Sequence, residues 1–252
     1  MDYVRFGTGS RVLIMLPGLG DGLRSTKGLA LPMALLYRQY SKAFTVYLFS
    51  RKNDLPEGCT TRDMARHLIQ AMDALGISRA DVFGVSMGGM IAQHLAADYP
   101  DRVGKLVLAV TCPRPNPVLE AAVAEWMEAA LADDHTALME SNLRLIYSEN
   151  YYRRNKWMVP LLGKTTKPKS YDKFLVMASA CRSHDAWDRL SAIASPTLVL
   201  GGEADRCVGA EASRELADRI SGAELWMYPR GGHSVYEEER DFHKKVLEFL
   251  KK

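Results

Sequence analysis

The 252-residue chain lacks what would direct it to a membrane, to nucleic acid or into a disulfide framework. Its longest apolar run near the N-terminus, Val12 to Leu16, falls far short of the roughly 20 residues of a membrane span. The run also has neither the basic lead nor the cleavage site of a signal peptide, so a cytoplasmic protein is expected. An excess of one charge is missing too: 33 basic and 30 acidic residues leave a formal charge of +3, with no like-charged block. Nucleic acid is therefore not an expected partner. The four cysteines, Cys59, Cys112, Cys181 and Cys207, stand far apart with no CxxC pair, which predicts reduced, structural thiols. No internal repeat, low-complexity stretch or linker marks a second independent domain. What is present is 47% apolar content, enough to bury one large core.

Short β-type runs recur at Arg11 to Leu16, Phe44 to Phe49, Asp81 to Val85, Lys105 to Val110, Pro196 to Gly201 and Glu224 to Tyr228. Most are apolar at successive positions, as strands covered on both faces must be. Thr60 to Leu75 reads as a helix, with the capping signature Thr60-x-x-Asp63, an apolar stripe through Met64, Leu68, Met72 and Leu75, and Gly76 as its stop. A second helix is predicted from Met87 to Asp98. Strands alternating with helices imply parallel pairing, hence a doubly wound α/β sheet. The alternation breaks between Thr111 and Ile193, where Pro113, Pro115 and Pro117 end a strand and three helical stripes follow. These are Val118, Ala122, Trp126 and Ala130; Met139, Leu143 and Ile146; and Phe174, Met177 and Cys181. The predicted organisation is a core of residues 1–110 and 194–252 with a helical lid, 111–193, inserted between sheet strands.

The strongest local signal is Gly84-Val85-Ser86-Met87-Gly88-Gly89, which joins a predicted strand to a predicted helix. In such a G-x-S-x-G turn the serine is strained and exposed above the sheet, at a helix N-terminus that favours developing negative charge. A serine hydroxyl needs a base within reach. Of six histidines, His67 and His94 fall inside sheet-packing helices, His135 and His184 in the insertion, and His243 in an amphipathic C-terminal helix with Val246, Phe249 and Leu250. His233 follows a strand in the loop Pro229-Arg230-Gly231-Gly232-His233-Ser234, where glycines permit close approach, and is the candidate base.

A carboxylate to orient the histidine is expected beyond a strand that precedes it in the order Ser, Asp or Glu, His. Gly202-Glu203-Ala204-Asp205-Arg206 follows such a strand, and Asp205 is the candidate, with Glu203 the local competitor. Two N–H groups must receive an oxyanion, one from the residue after the nucleophile, Met87, and one from the loop Pro17-Gly18-Leu19-Gly20-Asp21-Gly22, with Leu19 the best donor. Trp126, Met139, Leu143 and Trp157 are the candidate substrate-binding residues, as large apolar groups of the insertion. Its basic residues, Arg144, Arg153, Arg154, Lys156, Lys164, Lys167 and Lys169, read as a solvated face. No ligand-spaced His/Cys cluster is seen, so neither a metal nor an organic cofactor is expected.

On these motifs the chain resembles the α/β-hydrolase fold family, in its lid-bearing group of small esterases, lactonases and carbon–carbon bond hydrolases. Arg62-Asp63-Met64-Ala65 through Leu75-Gly76-Ile77 resembles the family's helix before the nucleophile strand, and Tyr99-Pro100-Asp101-Arg102-Val103 its exit from the elbow helix. Ile193 to Asp205 resembles the return to the acid loop. One departure is Pro17-Gly18, where many relatives have His-Gly. The resemblance implies a carboxylesterase-like serine hydrolase that cleaves a small to medium, mainly apolar ester or lactone through an acyl-enzyme on Ser86. Carbon–carbon cleavage and thioester cleavage by the same triad remain alternatives, as does a ligand receptor with slow residual hydrolysis. The expected partner is a small-molecule substrate, and a homodimer stays open.

Overall fold

The computed structural model describes all 252 residues. Seven strands, β1 (Tyr3–Phe6), β2 (Arg11–Leu16), β3 (Phe44–Phe49), β4 (Ala80–Val85), β5 (Val103–Ala109), β6 (Thr197–Gly202) and β7 (Glu224–Tyr228), form one sheet. Their order is β1-β3-β2-β4-β5-β6-β7, with β1 antiparallel to β3 and every other pair parallel. The six expected strands are present within a residue or two of the expected bounds. The four-residue β1 was not expected: only Val4 of Tyr-Val-Arg-Phe is buried, so the edge strand carries almost no apolar pattern.

Along the chain the helices are α1 (Ala30–Leu36), α2 (Thr61–Ala74), α3 (Met87–Asp98), α4 (Pro117–Leu131), α5 (His135–Ile146) and α6 (Glu149–Asn155). They continue with α7 (Val159–Thr165), α8 (Asp172–Arg182), α9 (Ala210–Arg219), α10 (Val235–Glu238) and α11 (Phe242–Lys251). The α2 start forms because Thr60 accepts from the Asp63 N–H at 3.1 Å while the Asp63 carboxylate accepts from the Thr60 N–H at 3.0 Å. This reciprocal pair satisfies two N–H groups that a helix start leaves without intrahelical partners. Asn116 caps α4 in the same spirit, accepting from Val118 and Leu119, and Pro117 sits at the first helical position, where its missing N–H costs nothing. No helix is long and apolar enough to cross a membrane.

Alternate residues of the central strands face opposite cores. Ile14, Leu16, Val82, Leu106 and Leu108 join α2, α3 and the helices α4, α5 and α8 in a core of 46 buried residues. Leu13, Met15, Phe83, Val107 and Ala109 meet Tyr40, Phe242, Val246 and Phe249 in a second core of 19. With both faces covered, the strands read as continuous apolar runs. The chain goes from β2 outward to β3 on one side, then returns to pair β4 on the other side of β2. The sheet order therefore reverses between β2 and β4, and the carboxyl ends of those two strands face a crevice, where doubly wound sheets bind ligands.

Candidate active site

Ser86 follows β4 at that crevice with φ 53° and ψ −122°, a conformation costly for any residue with a Cβ. Its surroundings hold it there: its N–H donates to the Ala109 carbonyl at 2.8 Å, and its carbonyl accepts from Gly89 at 2.8 Å. The turn is possible because Gly88 has no side chain; a Cβ there would collide with the Leu16 carbonyl. Met87 opens α3, so its N–H has no acceptor within the helix. Leu19 opens a 3-10 turn, Leu19–Gly22, at the end of β2, and a Cβ on the neighbouring Gly18 would lie 3.3 Å from Ser86 Cβ. The two candidate oxyanion donors thus sit on the loops that flank Ser86.

Arg51 holds this second loop from behind. Its guanidinium is fully buried and donates to the Pro17 carbonyl, while its backbone N–H donates to Asp21 at 2.8 Å. Lys173 of α8 stands 3.4 Å from the same carboxylate and donates to the Arg51 carbonyl. Burial lowers the Arg51 pKa, and the Asp21 charge opposes that fall. Arg51 thus supports the Pro17 loop from the side away from Ser86 through its bond to the Pro17 carbonyl.

His233 lies in the loop between β7 and α10 and is almost wholly buried. Its Nδ1 is 2.9 Å from Asp205 Oδ2 and 3.1 Å from Oδ1. The Asp205 carboxylate also accepts from the backbone N–H groups of Cys207 at 2.8 Å and Val208 at 3.0 Å, which fixes its plane against the imidazole. Glu203, the sequence competitor, is tied up instead in a half-exposed ion pair with Arg214 at 2.5 Å. The other histidines are structural. His94 and His184 pack edge to face at 5.1 Å, with burial pushing His94 down to about 4 and His184 also down. His135 meets Thr166 and Tyr171, His243 meets Tyr40, and His67 lies along α2.

Ser86 and His233 line one cavity of about 350 Å³, without a hydrogen bond between them. Leu19, Asp21 and Val85 complete its floor, and Met33, Leu36 and Tyr37 of the α1 segment form one wall. The inserted helices supply Trp126, Asn142, Ile146 and Phe174. A larger cleft of about 780 Å³ lies at the opposite, amino ends of the strands among Arg11, Arg79, Asp81 and Lys105, and contains none of the candidate catalytic, oxyanion or substrate-binding residues.

Of the four apolar residues expected at the substrate, only Trp126 lines the cavity. Leu143 is buried away from it, Met139 packs against the main core, and Trp157 is 72% exposed. These three are corrected: helical spacing identifies an apolar stripe but not whether the stripe meets a cavity, the core or solvent. Ile146 and Phe174 were on the expected stripes without being singled out. Tyr37, Asn142, Tyr236 and Glu237 had no sequence signal, because they reach the cavity from segments distant in the chain.

A doubly wound sheet with a strained serine at its switch point and a buried His–Asp pair beside it defines the α/β-hydrolase architecture. Residues 11–240 match the family model described as alpha/beta hydrolase fold, and the chain belongs to that family. It is similar to the 2-hydroxy-6-oxononadienedioate/2-hydroxy-6-oxononatrienedioate hydrolase of Burkholderia vietnamiensis, 27% identical over 100% of this chain and 91% of that one. Among solved structures it resembles MGS-M2, an alpha/beta hydrolase enzyme from a Medee basin deep-sea metagenome library, with 26% identity, TM-score 0.85, and coverage of 100% and 94% of the two chains. The enol-lactonase of Burkholderia xenovorans LB400 shares the fold, with 23% identity, TM-score 0.81, and coverage of 100% and 96%. The chain is a hydrolase of this fold.

Proposed function

We propose that the protein is a serine hydrolase cleaving a small to medium, mainly apolar ester or lactone through an acyl-enzyme on Ser86. The observation that carries this reading is a strained Ser86 sharing one cavity with His233, whose Nδ1 is held by Asp205 at 2.9 Å. His233 Nε2 takes the Ser86 proton as Oγ attacks the substrate carbonyl, and Asp205 steadies the imidazolium that forms. The Met87 and Leu19 N–H groups receive the negative charge on the carbonyl oxygen. His233 then returns the proton to the departing alcohol. Water, activated by the same base, releases the acid. Catalytic hydrogen bonds often form only when substrate arrives, so the lack of a Ser86–His233 hydrogen bond is compatible with this scheme.

The cavity supports an uncharged substrate. Its two charged lining residues, Asp21 and Glu237, are both acidic, and no lysine or arginine lines it. The inserted helices act as a lid that roofs the acyl pocket with Trp126, Ile146 and Phe174. The test is labelling by a fluorophosphonate probe together with turnover of p-nitrophenyl esters and simple lactones. Labelling confined to Ser86 and multiple turnovers are expected; a single turnover would mark a receptor, and labelling that survives Ser86→Ala would remove the mechanism.

A further inference from the structure

Cys207 stands two residues beyond Asp205 on the same loop, fully buried. Its Sγ, a carboxylate oxygen of Asp205 and a ring nitrogen of His233 all lie within 4.8 Å of one another. The carboxylate and the imidazole are explained by their mutual hydrogen bond. The thiol beside them is not, since an aliphatic side chain would fill the same space. We propose that Asp205, Cys207 and His233 form an inhibitory site for a thiophilic divalent cation of the zinc or cadmium kind.

One sulfur, one imidazole nitrogen and one carboxylate oxygen make a donor set that such cations favour. Ligand atoms around a tetrahedral zinc stand roughly 3.3–3.8 Å apart, given bond lengths of about 2.0–2.3 Å, so small side-chain rotations within the 4.8 Å cluster close the site. Charge balance favours occupancy despite burial: a divalent ion between the Asp205 carboxylate and the Cys207 thiolate leaves the cluster neutral, the thiol proton passing to water. Entry need not cross the substrate cavity. Asp205 also lines a separate cleft of about 570 Å³, where the Glu149 and Glu203 carboxylates offset Arg206 and Arg230.

Occupancy would silence the base by chemistry alone. An ion on His233 Nδ1 leaves the ring's only proton on Nε2, which can then no longer accept from Ser86; an ion on Nε2 occupies the same lone pair directly. Cation binding itself is independent of the proposed reaction, and only its effect on turnover rests on that reading. Spacing along the chain gives no warning of the site, because His233 is 28 residues from Asp205 and meets it only in the fold.

The test uses the full chain freed of metal with EDTA. One equivalent of cadmium chloride should give a thiolate-to-cadmium absorption band in the ultraviolet, and zinc chloride should inhibit ester turnover reversibly on addition of EDTA. In Cys207→Val the band should vanish and the zinc concentration for half-inhibition should rise at least ~10-fold, the lower end of what even outer partners of a metal ligand contribute. Cys207→Ala serves if valine disturbs folding, and Cys112→Ala must keep the band. Absence of the band from the wild type, or its survival in the Cys207 variants, overturns the proposal. The band needs no substrate, so a protein that hydrolyses no ester would sink the proposed function while the cation site is still decided.

Discussion

At the scale of the residue, each member of the candidate triad has a distinct environment and therefore a distinct expected phenotype. Ser86→Ala removes the only hydroxyl at the strained turn, and the loss in kcat should approach the ~10⁶-fold typical of a triad nucleophile. Asp205→Asn keeps the shape of the carboxylate but cannot accept the Nδ1 proton with its charge, so kcat should fall by about three to four orders of magnitude. Glu203→Gln only breaks the Arg214 ion pair and should leave kcat within about twofold. If the Glu203 variant were the crippled one, the carboxylate assignment would be wrong. Because His233 must be unprotonated to act, kcat/KM should fall toward acid pH, whichever ester is used. Arg51 has a different kind of role. Replacing it by methionine keeps the backbone bond to Asp21 but removes the side-chain donor to the buried Pro17 carbonyl, at a cost of about 1–3 kcal/mol. A shift in the urea midpoint at unchanged slope would measure it, and a midpoint within error of wild type would contradict this support of the Pro17 loop.

At the scale of the element, the elbow and the inserted helices are each held by close packing. Gly88→Ala pushes a methyl into the Leu16 carbonyl, so α3 cannot start where it does; both stability and Ser86 labelling should drop together. The insertion separates two tryptophans that look alike in sequence. Trp126, 6% exposed on α4, faces the cavity, while Trp157, 72% exposed between α6 and α7, faces solvent. Each buried methylene contributes about 0.8 kcal/mol, about fourfold in rate, so Trp126→Ala should change the ratio of kcat/KM between butyrate and octanoate esters. Trp157→Ala should leave that ratio alone. Equal effects of both variants across chain lengths would mean that the insertion supports the fold without reading the substrate.

At the scale of the whole molecule, buried histidines make stability depend on pH. Burial pushes His94 from an ordinary 6.5 down to about 4, and His184, packed against it, moves the same way. Between those values the unfolded chain binds a proton that the native chain refuses. Stability contributed by the neutral ring is therefore complete above about 6.5 and is lost as pH falls toward 4, by about 3 kcal/mol for His94. Urea midpoints at pH 7 and pH 5 test this, and His94→Gln should flatten the slope; a midpoint unchanged between the two would refute it. Charge over the cavity makes a second demand on the molecule. With no lysine or arginine lining the cavity to pair with it, an ester whose acyl chain ends in a carboxylate should be turned over less efficiently than its neutral counterpart of equal length, as kcat/KM for the two would show.

The sequence by itself determined the alternation of strands and helices, the elbow around Ser86 and the positions of Asp205 and His233. Each of these is written locally: apolar runs for strands buried on both faces, a capping box at Thr60, and glycines where a backbone must approach another. It could not reveal β1, whose four residues bury a single side chain, and it favoured Asp205 without excluding Glu203, two residues away on the same loop. The fold separates the two, giving Arg214 to Glu203 and His233 to Asp205. The tertiary structure alone also decided which apolar residues of the insertion line the cavity, that Arg51 stands behind the Pro17 loop, and that Cys207 lies against the His–Asp pair. Periodicity records only that a residue faces away from water. What it faces instead depends on segments tens to hundreds of residues away, brought together by burial of the two cores on either side of the sheet.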